Sequence, residues 1–261
     1  MKRITRTLGL VAAGAALFIV TGCVDVETIV SVSRDGSGYV ERTVLMSNEV
    51  IGMLSGMSGE EDFSLLKEDE LMQEAESMGA ELVESEAVEA EGMSGYRARY
   101  DFTDINDLRL NQNPGTTLPE QAQEDETDEF VQFALEKGNR PVLTIRFPEP
   151  EADTEQQESR AGRQESTGSQ DIETVKHFYR DMRISMKITF PDGIRRTNSS
   201  YRDGNTITLM EIDFGKIIEN EEVFAEIMNE NIESVESLKR YVERVEGLKA
   251  ETVRPVEVVL K

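Results

Sequence analysis

"VDVETIVSVSRDGSGYVERTVLM", residues 24–46, alternates in a way that only an extended chain can use. Val26, Thr28, Val30 and Val32 share one phase of a two-residue period, with polar residues mostly between them. Arg34-Asp35-Gly36-Ser37-Gly38 is a turn, and Val40, Arg42 and Val44 resume the alternation beyond it. The spacing predicts a β-hairpin with a glycine-containing loop.

The same reading extends outward. "AELVESEAVEA" and "GYRARYDFT" predict a second hairpin that turns across Glu91 to Gly95. "EFVQFALEKGNRPVLTIRF" predicts a third, turning near Gly138-Asn139. Further on, Met182, Ile184, Met186, Ile188 and Phe190 alternate, and Pro191-Asp192-Gly193 turns the chain. Asp203-Gly204-Asn205 turns it into "TITLMEID", and "ETVRPVEVVLK" reads as a closing strand.

Helical periodicity is sparser. After a Gly/Met-rich bridge, "DFSLLKEDELMQEAESMG" places Leu65, Met72 and Ala75 on one face, flanked by Leu71 and Met78. Glu68, Asp69 and Glu74 fall outside that face, and Gly79 fits a C-cap. Asp104 is suited to cap a short helix over "INDLRL". Near the end, Phe224, Met228, Asn231, Val235, Leu238, Val242 and Val245 follow the 4-3 spacing of a coiled-coil seam. Ile227, Ile232 and Tyr241 widen this stripe toward one that packs on a sheet, and Asn229-Glu230-Asn231 equally fits a break between two helices. Eight to nine strands, mostly hairpin-linked, with three or more helices make an α+β fold with a largely antiparallel sheet.

Residues 148–171, "PEPEADTEQQESRAGRQESTGSQD", carry no aromatic and almost no branched aliphatic side chain. Such a segment buries too little apolar surface to offset its ordering entropy, and is expected to be a disordered acidic loop or linker. It separates residues 23–147 from 172–261, which are expected to be two parts of one α+β domain.

The first 22 residues have a different character. Lys2, Arg3 and Arg6 precede an almost uncharged apolar run from Leu8 to Val20, shorter than a membrane span requires. Thr21 and Gly22 then lead into Cys23, the one cysteine of the chain. The pattern is that of a secretory signal, and Val20-Thr21-Gly22-Cys23 resembles the lipobox of bacterial lipoproteins. The resemblance implies cleavage after residue 22 and a diacylglycerol on the Cys23 sulfur. The alternative is a buried free thiol in an uncleaved helix. In enteric lipoproteins an Asp directly after the cysteine resembles an inner-membrane retention signal. Here Val24 takes that place, so the expected site is the outer membrane facing the periplasm, ahead of the outer leaflet of the inner membrane.

Without residues 1–22 the chain keeps 239 of its 261 residues and loses three of its 28 basic side chains. The remaining 25 face 52 acidic ones, a net charge of −27. That surface repels phosphate backbones, so nucleic acid is not an expected partner.

Catalytic constellations are thin. His177 is the lone histidine, and no Gly-x-Ser-x-Gly elbow accompanies it. With one histidine and an acylated cysteine, a Cys/His zinc site is not expected. Ser64 and Lys67 fit a Ser-x-x-Lys pattern but lack the Ser-Asp-Asn and Lys-Thr-Gly companions of penicillin-recognising enzymes. Asp203-Gly204-Asn205 lacks the other ligands of a calcium loop. No cofactor is implied. Carboxylates are abundant, but none is marked as a catalytic pair.

"ISMKITFPDGIRRTNSSYRDGNTITLMEID" resembles the closing part of the LppM-like lipoprotein domain family. Phe190, Pro191, Gly193, Asn198, Gly204 and Thr206 stand at the matching positions, with Asp192 inserted before the glycine, and the lipobox and Asp35-Gly36 turn agree with the family's start. The resemblance implies a sheet-and-helix domain of helix-grip type and binding of an amphiphilic envelope molecule. Methionine, with 11 in the chain, suits an adaptable apolar lining and equally an ordinary core. A second expectation is a structural or assembly lipoprotein that binds another envelope protein through its acidic surface and C-terminal helix.

Overall fold

Strands β1 (Val24–Val32) and β2 (Gly38–Ser47) pair antiparallel, with Val30 opposite Val40. Alternation buries Val24, Val26, Thr28 and Val30 on one face and leaves Asp25, Glu27 and Ile29 partly exposed on the other. The first hairpin thus has the predicted form. This computed structural model describes residues 24–58, 64–90, 92–111, 130–148, 176, 179–180, 182–229 and 235–261.

The chain leaves β2 directly into helix α1 (Asn48–Ser58), then α2 (Glu68–Met78). The Gly/Met-rich bridge is therefore helical, because Val50, Ile51 and Leu54 present an apolar face to the core. Strands β3 (Glu81–Ala90) and β4 (Met93–Phe102) make the second hairpin. Its turn is shorter than expected, because Gly95 belongs to β4 opposite Leu45. A Cβ at Gly95 would lie 1.9 Å from the Val44 carbonyl oxygen, so the glycine serves a close approach of two strands and not a turn.

A 3₁₀ turn, Ile105–Asp107, leads into β5 (Arg109–Asn111), so the expected helix over "INDLRL" is a single turn and a strand. The Asp104 cap itself is present: its side chain accepts from the Asn106 N–H. Strands β6 (Phe130–Glu136) and β7 (Val142–Arg146) form the third hairpin as predicted. Then follow β8 (Arg183–Thr189), β9 (Ile194–Thr197), β10 (Arg202–Asp203) and β11 (Thr206–Asp213). Helices α3 (Phe214–Glu219), α4 (Glu221–Asn229) and α5 (Val235–Val242) precede β12 (Leu248–Ala250) and β13 (Val256–Leu260).

Two sheets result. The larger runs β10-β11-β8-β1-β2-β4-β3, with β12 also on β11; the smaller runs β5-β6-β7-β13-β9. Among the described residues every pairing is antiparallel except β1 with β8. The strands outnumber the expected eight to nine because β5, β9, β10 and β12 are too short to display alternation. Both sheets contribute to one core, in which Val30, Tyr100 and Phe102 join Leu110, Phe133 and Val258. Helices α3 to α5 and β12 close a smaller cluster around Val223, Phe224 and Tyr241.

Helix α2 is rotated from its expected setting. Leu71, Ala75 and Met78 are buried while Met72 is 45% exposed. Gly79 caps it in the left-handed region, φ 73°, as predicted. The 4-3 seam divides between α4 and α5; its Asn231 and the whole acidic segment from 149 to 171 lie outside the described residues, as does Cys23.

Candidate functional site

The buried face of the larger sheet is apolar except along one row. Register places Met186 of β8, Thr28 of β1, Arg42 of β2 and Ala98 of β4 side by side. All four are buried, Arg42 to 5% exposure. The two-residue period that buries Val40 and Val44 carries Arg42 inward with them. Ala98 leaves room beside it for the guanidinium, and Tyr96 and Tyr100, two residues to either side on the same face of β4, flank that room.

Helix α2 brings the counter-charge. Leu71, Ala75 and Met78 seat the helix, and Glu74, one position before Ala75, reaches the sheet. Its Oε1 accepts from Arg42 Nη1, and its Oε2 accepts from the Tyr100 hydroxyl at 2.6 Å. Both partners are largely out of water, with the Glu74 side chain 16% exposed. Burial draws the Arg42 guanidinium below its ordinary value, a tendency opposed by Tyr96 and Tyr100. Burial pushes the Tyr96 and Tyr100 hydroxyls above the usual phenol range, so both stay protonated at neutral pH.

The row is incompletely satisfied. Arg42 Nε and Thr28 Oγ1 are buried and find no hydrogen-bond partner. Burying a polar group unpaired costs about 1–3 kcal/mol, so such atoms stand out in a folded core. A second buried charge provides the contrast. Glu251 accepts from Ser199 Oγ at 2.7 Å, Ser200 N at 2.7 Å, Ser200 Oγ at 3.1 Å and Val253 N at 3.0 Å. That carboxylate is saturated and fastens two loops. Arg42 still offers Nε, one half of the fork with which arginine grips carboxylate or phosphate. Chemically the row is an unpaired N–H donor and an unpaired hydroxyl buried in an otherwise apolar layer.

The residues singled out from the sequence lie elsewhere. Cys23 and His177 are outside the described residues. Ser64 Oγ accepts from Leu66 N and donates to Leu66 O, closing a surface turn, while Lys67 pairs with Glu70 at 3.1 Å. The Ser-x-x-Lys pattern is therefore two unconnected surface features. Asp203-Gly204-Asn205 is the turn between β10 and β11. Among the described residues no group of three His, Cys, Asp or Glu could hold a metal ion. Arg42 was visible in sequence as a charge at an apolar phase; Glu74 was not, because its partner comes from a distant strand.

No family model matches the chain, and no curated protein matches it. Among solved structures the chain is a weak neighbour of the folded domain of the LppM protein of Mycobacterium tuberculosis, solved by NMR. The identity is 14%, the match covers 77% of this chain and 88% of that domain, and the TM-score is 0.33.

Proposed function

We propose that the protein is a membrane-anchored lipoprotein of the cell envelope that binds an amphiphilic envelope molecule and catalyses no reaction. Cys23 carries the lipid, and the domain faces the periplasm from the outer membrane. The helix-covered sheet acts as a helix-grip-like holder. The observation that carries this reading is the Arg42 row: a buried guanidinium with a free Nε beside a free Thr28 hydroxyl, in a wall otherwise made of Val, Met, Ala and Tyr. Pockets for amphiphiles are built this way, mostly apolar with a few placed polar groups. Arg42 Nε and Thr28 Oγ1 are buried under the present packing, so the ligand's anionic or hydroxylated head takes them once α2 lifts from the sheet, and its chains lie against the apolar face so uncovered.

The test is mass spectrometry on protein purified from its native membrane in mild detergent. Intact mass reads acylation of Cys23, and solvent extraction reads a bound amphiphile. Arg42→Met with Glu74→Leu removes both charges together and leaves only the Tyr100 hydroxyl without its acceptor, so that variant is expected to keep its fold and to lose the amphiphile. An amphiphile retained by this variant, or none on the wild-type protein, overturns the site. The second of these results favours a protein partner in the envelope instead.

A further inference from the structure

The register of the larger sheet fixes which end of it lies beside residue 23. Strand β1 begins at Val24, with no spacer, and Val24 stands opposite Met46 of β2. Two residues beyond Met46 the chain enters α1 at Asn48. Asn48 N donates to Gly92 O at 3.0 Å, and Ser94 Oγ donates to Asn48 Oδ1 at 2.9 Å, so the start of α1 is tied to the same edge of the sheet. From strand spacings, α1 starts roughly 10 Å or less from Val24, the residue that follows Cys23 in the sequence.

Helix α1 is unusual for this chain. Against 52 acidic and 28 basic residues overall, its positions from Val50 to Ser58 carry no charge. Val50 is buried and Ile51 and Leu54 are only partly covered by the core. Met53 is 49% exposed, and Gly52 and Gly56 face open space.

We infer that α1 lies in the interfacial layer of the membrane that holds the anchor, with Met53 directed into the lipid. The inference rests on acylation of Cys23. The exposed apolar area is too small to bind a bilayer alone, and the acidic surface gives no electrostatic help. The anchor supplies the missing affinity by holding α1 at high effective concentration against the bilayer. The opposite end of the sheet then points away from the membrane. That end includes Val83, 57% exposed in β3 near the pairing of Glu81 with Asp101.

The experiment uses the full lipidated chain in phosphatidylcholine vesicles. Met53→Cys and Val83→Cys are each labelled with an environment-sensitive fluorophore and exposed to lipids carrying a quencher near the headgroup. Intact mass on the same samples reads acylation of Cys23. The expected result is acylated protein with the label at 53 quenched about twofold or more relative to 83. Acylated protein with neither label quenched overturns the inference and leaves the anchor standing. Equal quenching at both positions overturns the orientation. Unacylated Cys23 removes the anchor and the inference with it.

Discussion

Arg42 of β2 and Glu74 of α2 form an ion pair on the buried face of the larger sheet, and the Tyr100 hydroxyl donates to the same carboxylate at 2.6 Å. Removing one member of a buried pair strands the other, which costs about 3–5 kcal/mol, whereas replacing both with apolar side chains of similar volume is often neutral. Arg42→Met alone and Glu74→Leu alone are each expected to destabilise by about 3 kcal/mol. The double variant recovers most of that, with Tyr100 left to find water. Urea unfolding of the four proteins measures the cycle. Additive single effects would mean that the two side chains do not interact in solution.

Tyr100 shows the same environment by its ionisation. Burial, reinforced by the neighbouring Tyr96, holds its phenol well above the ordinary value of 10.0 despite the Arg42 charge. A raised folded value means that the native state keeps its proton where the unfolded state has lost it. Stability from this group is therefore intact below pH 10 and falls as pH rises beyond it. Difference absorbance of Tyr100→Phe against wild type is expected to show the missing phenol only at the alkaline end, coincident with unfolding. Ionisation of that phenol near pH 10 in folded protein would contradict the buried site. At neutral pH, Tyr100→Phe loses one hydrogen bond to a charged group, about 1.5–3 kcal/mol.

How much of this was legible in the sequence follows from separation along the chain. Hairpins are local, so the alternation around Gly36 and around Gly138-Asn139 was enough to place β1 with β2 and β6 with β7. The parallel pairing of β1 with β8 joins residues more than 150 positions apart, and no local pattern announces it. Helix α2 was read on the wrong face because Met72 is as apolar as Met78, and periodicity alone does not say which stripe the sheet accepts. Glu74 was then assigned to solvent. Arg42 interrupts Val40 and Val44 in the inward phase, and that mismatch was the one local sign of a site. Its meaning needed Glu74 and Tyr100, both supplied by tertiary structure.

Gly95 predicts a backbone effect in the middle of a strand. A Cβ there would sit 1.9 Å from the Val44 carbonyl oxygen and 2.9 Å from the Leu45 Cα. The obstructing atoms belong to backbone within a paired strand, so relief requires β2 and β4 to separate. Gly95→Ala is expected to destabilise by about 2 kcal/mol or more, in the range of core overpacking. Gly92→Ala, in the adjoining turn where the added carbon meets nothing but φ is 76°, costs about 1 kcal/mol. A thermal melt of the two variants settles the order; an equal or smaller loss at Gly95 would mean that the strands part there without cost.

Asp104 predicts the acid limb of stability. Its carboxylate accepts from the Asn106 N–H at 3.1 Å and from Lys137 Nζ at 3.1 Å, and Asn106 Oδ1 in turn accepts from Leu135 N at 2.6 Å. The cap thereby ties the end of β4 to β6. The Asn106 backbone donor, helped by Lys137, holds the Asp104 carboxyl below its ordinary 3.8. The unfolded chain therefore binds a proton that the native state refuses. Stability from Asp104 is present above pH 3.8 and is lost as pH falls through the lower, folded value. Solvent screens the Lys137 contribution, so the cap hydrogen bond dominates. Asp104→Asn keeps a capping oxygen and removes the titration, so it is expected to be close to wild type at pH 7 and flatter below pH 4. Asp104→Ala loses about 1 kcal/mol at pH 7 and shows the same flattened limb. An acid unfolding profile of Asp104→Asn that superimposes on wild type throughout would show that this carboxylate is not held by the cap.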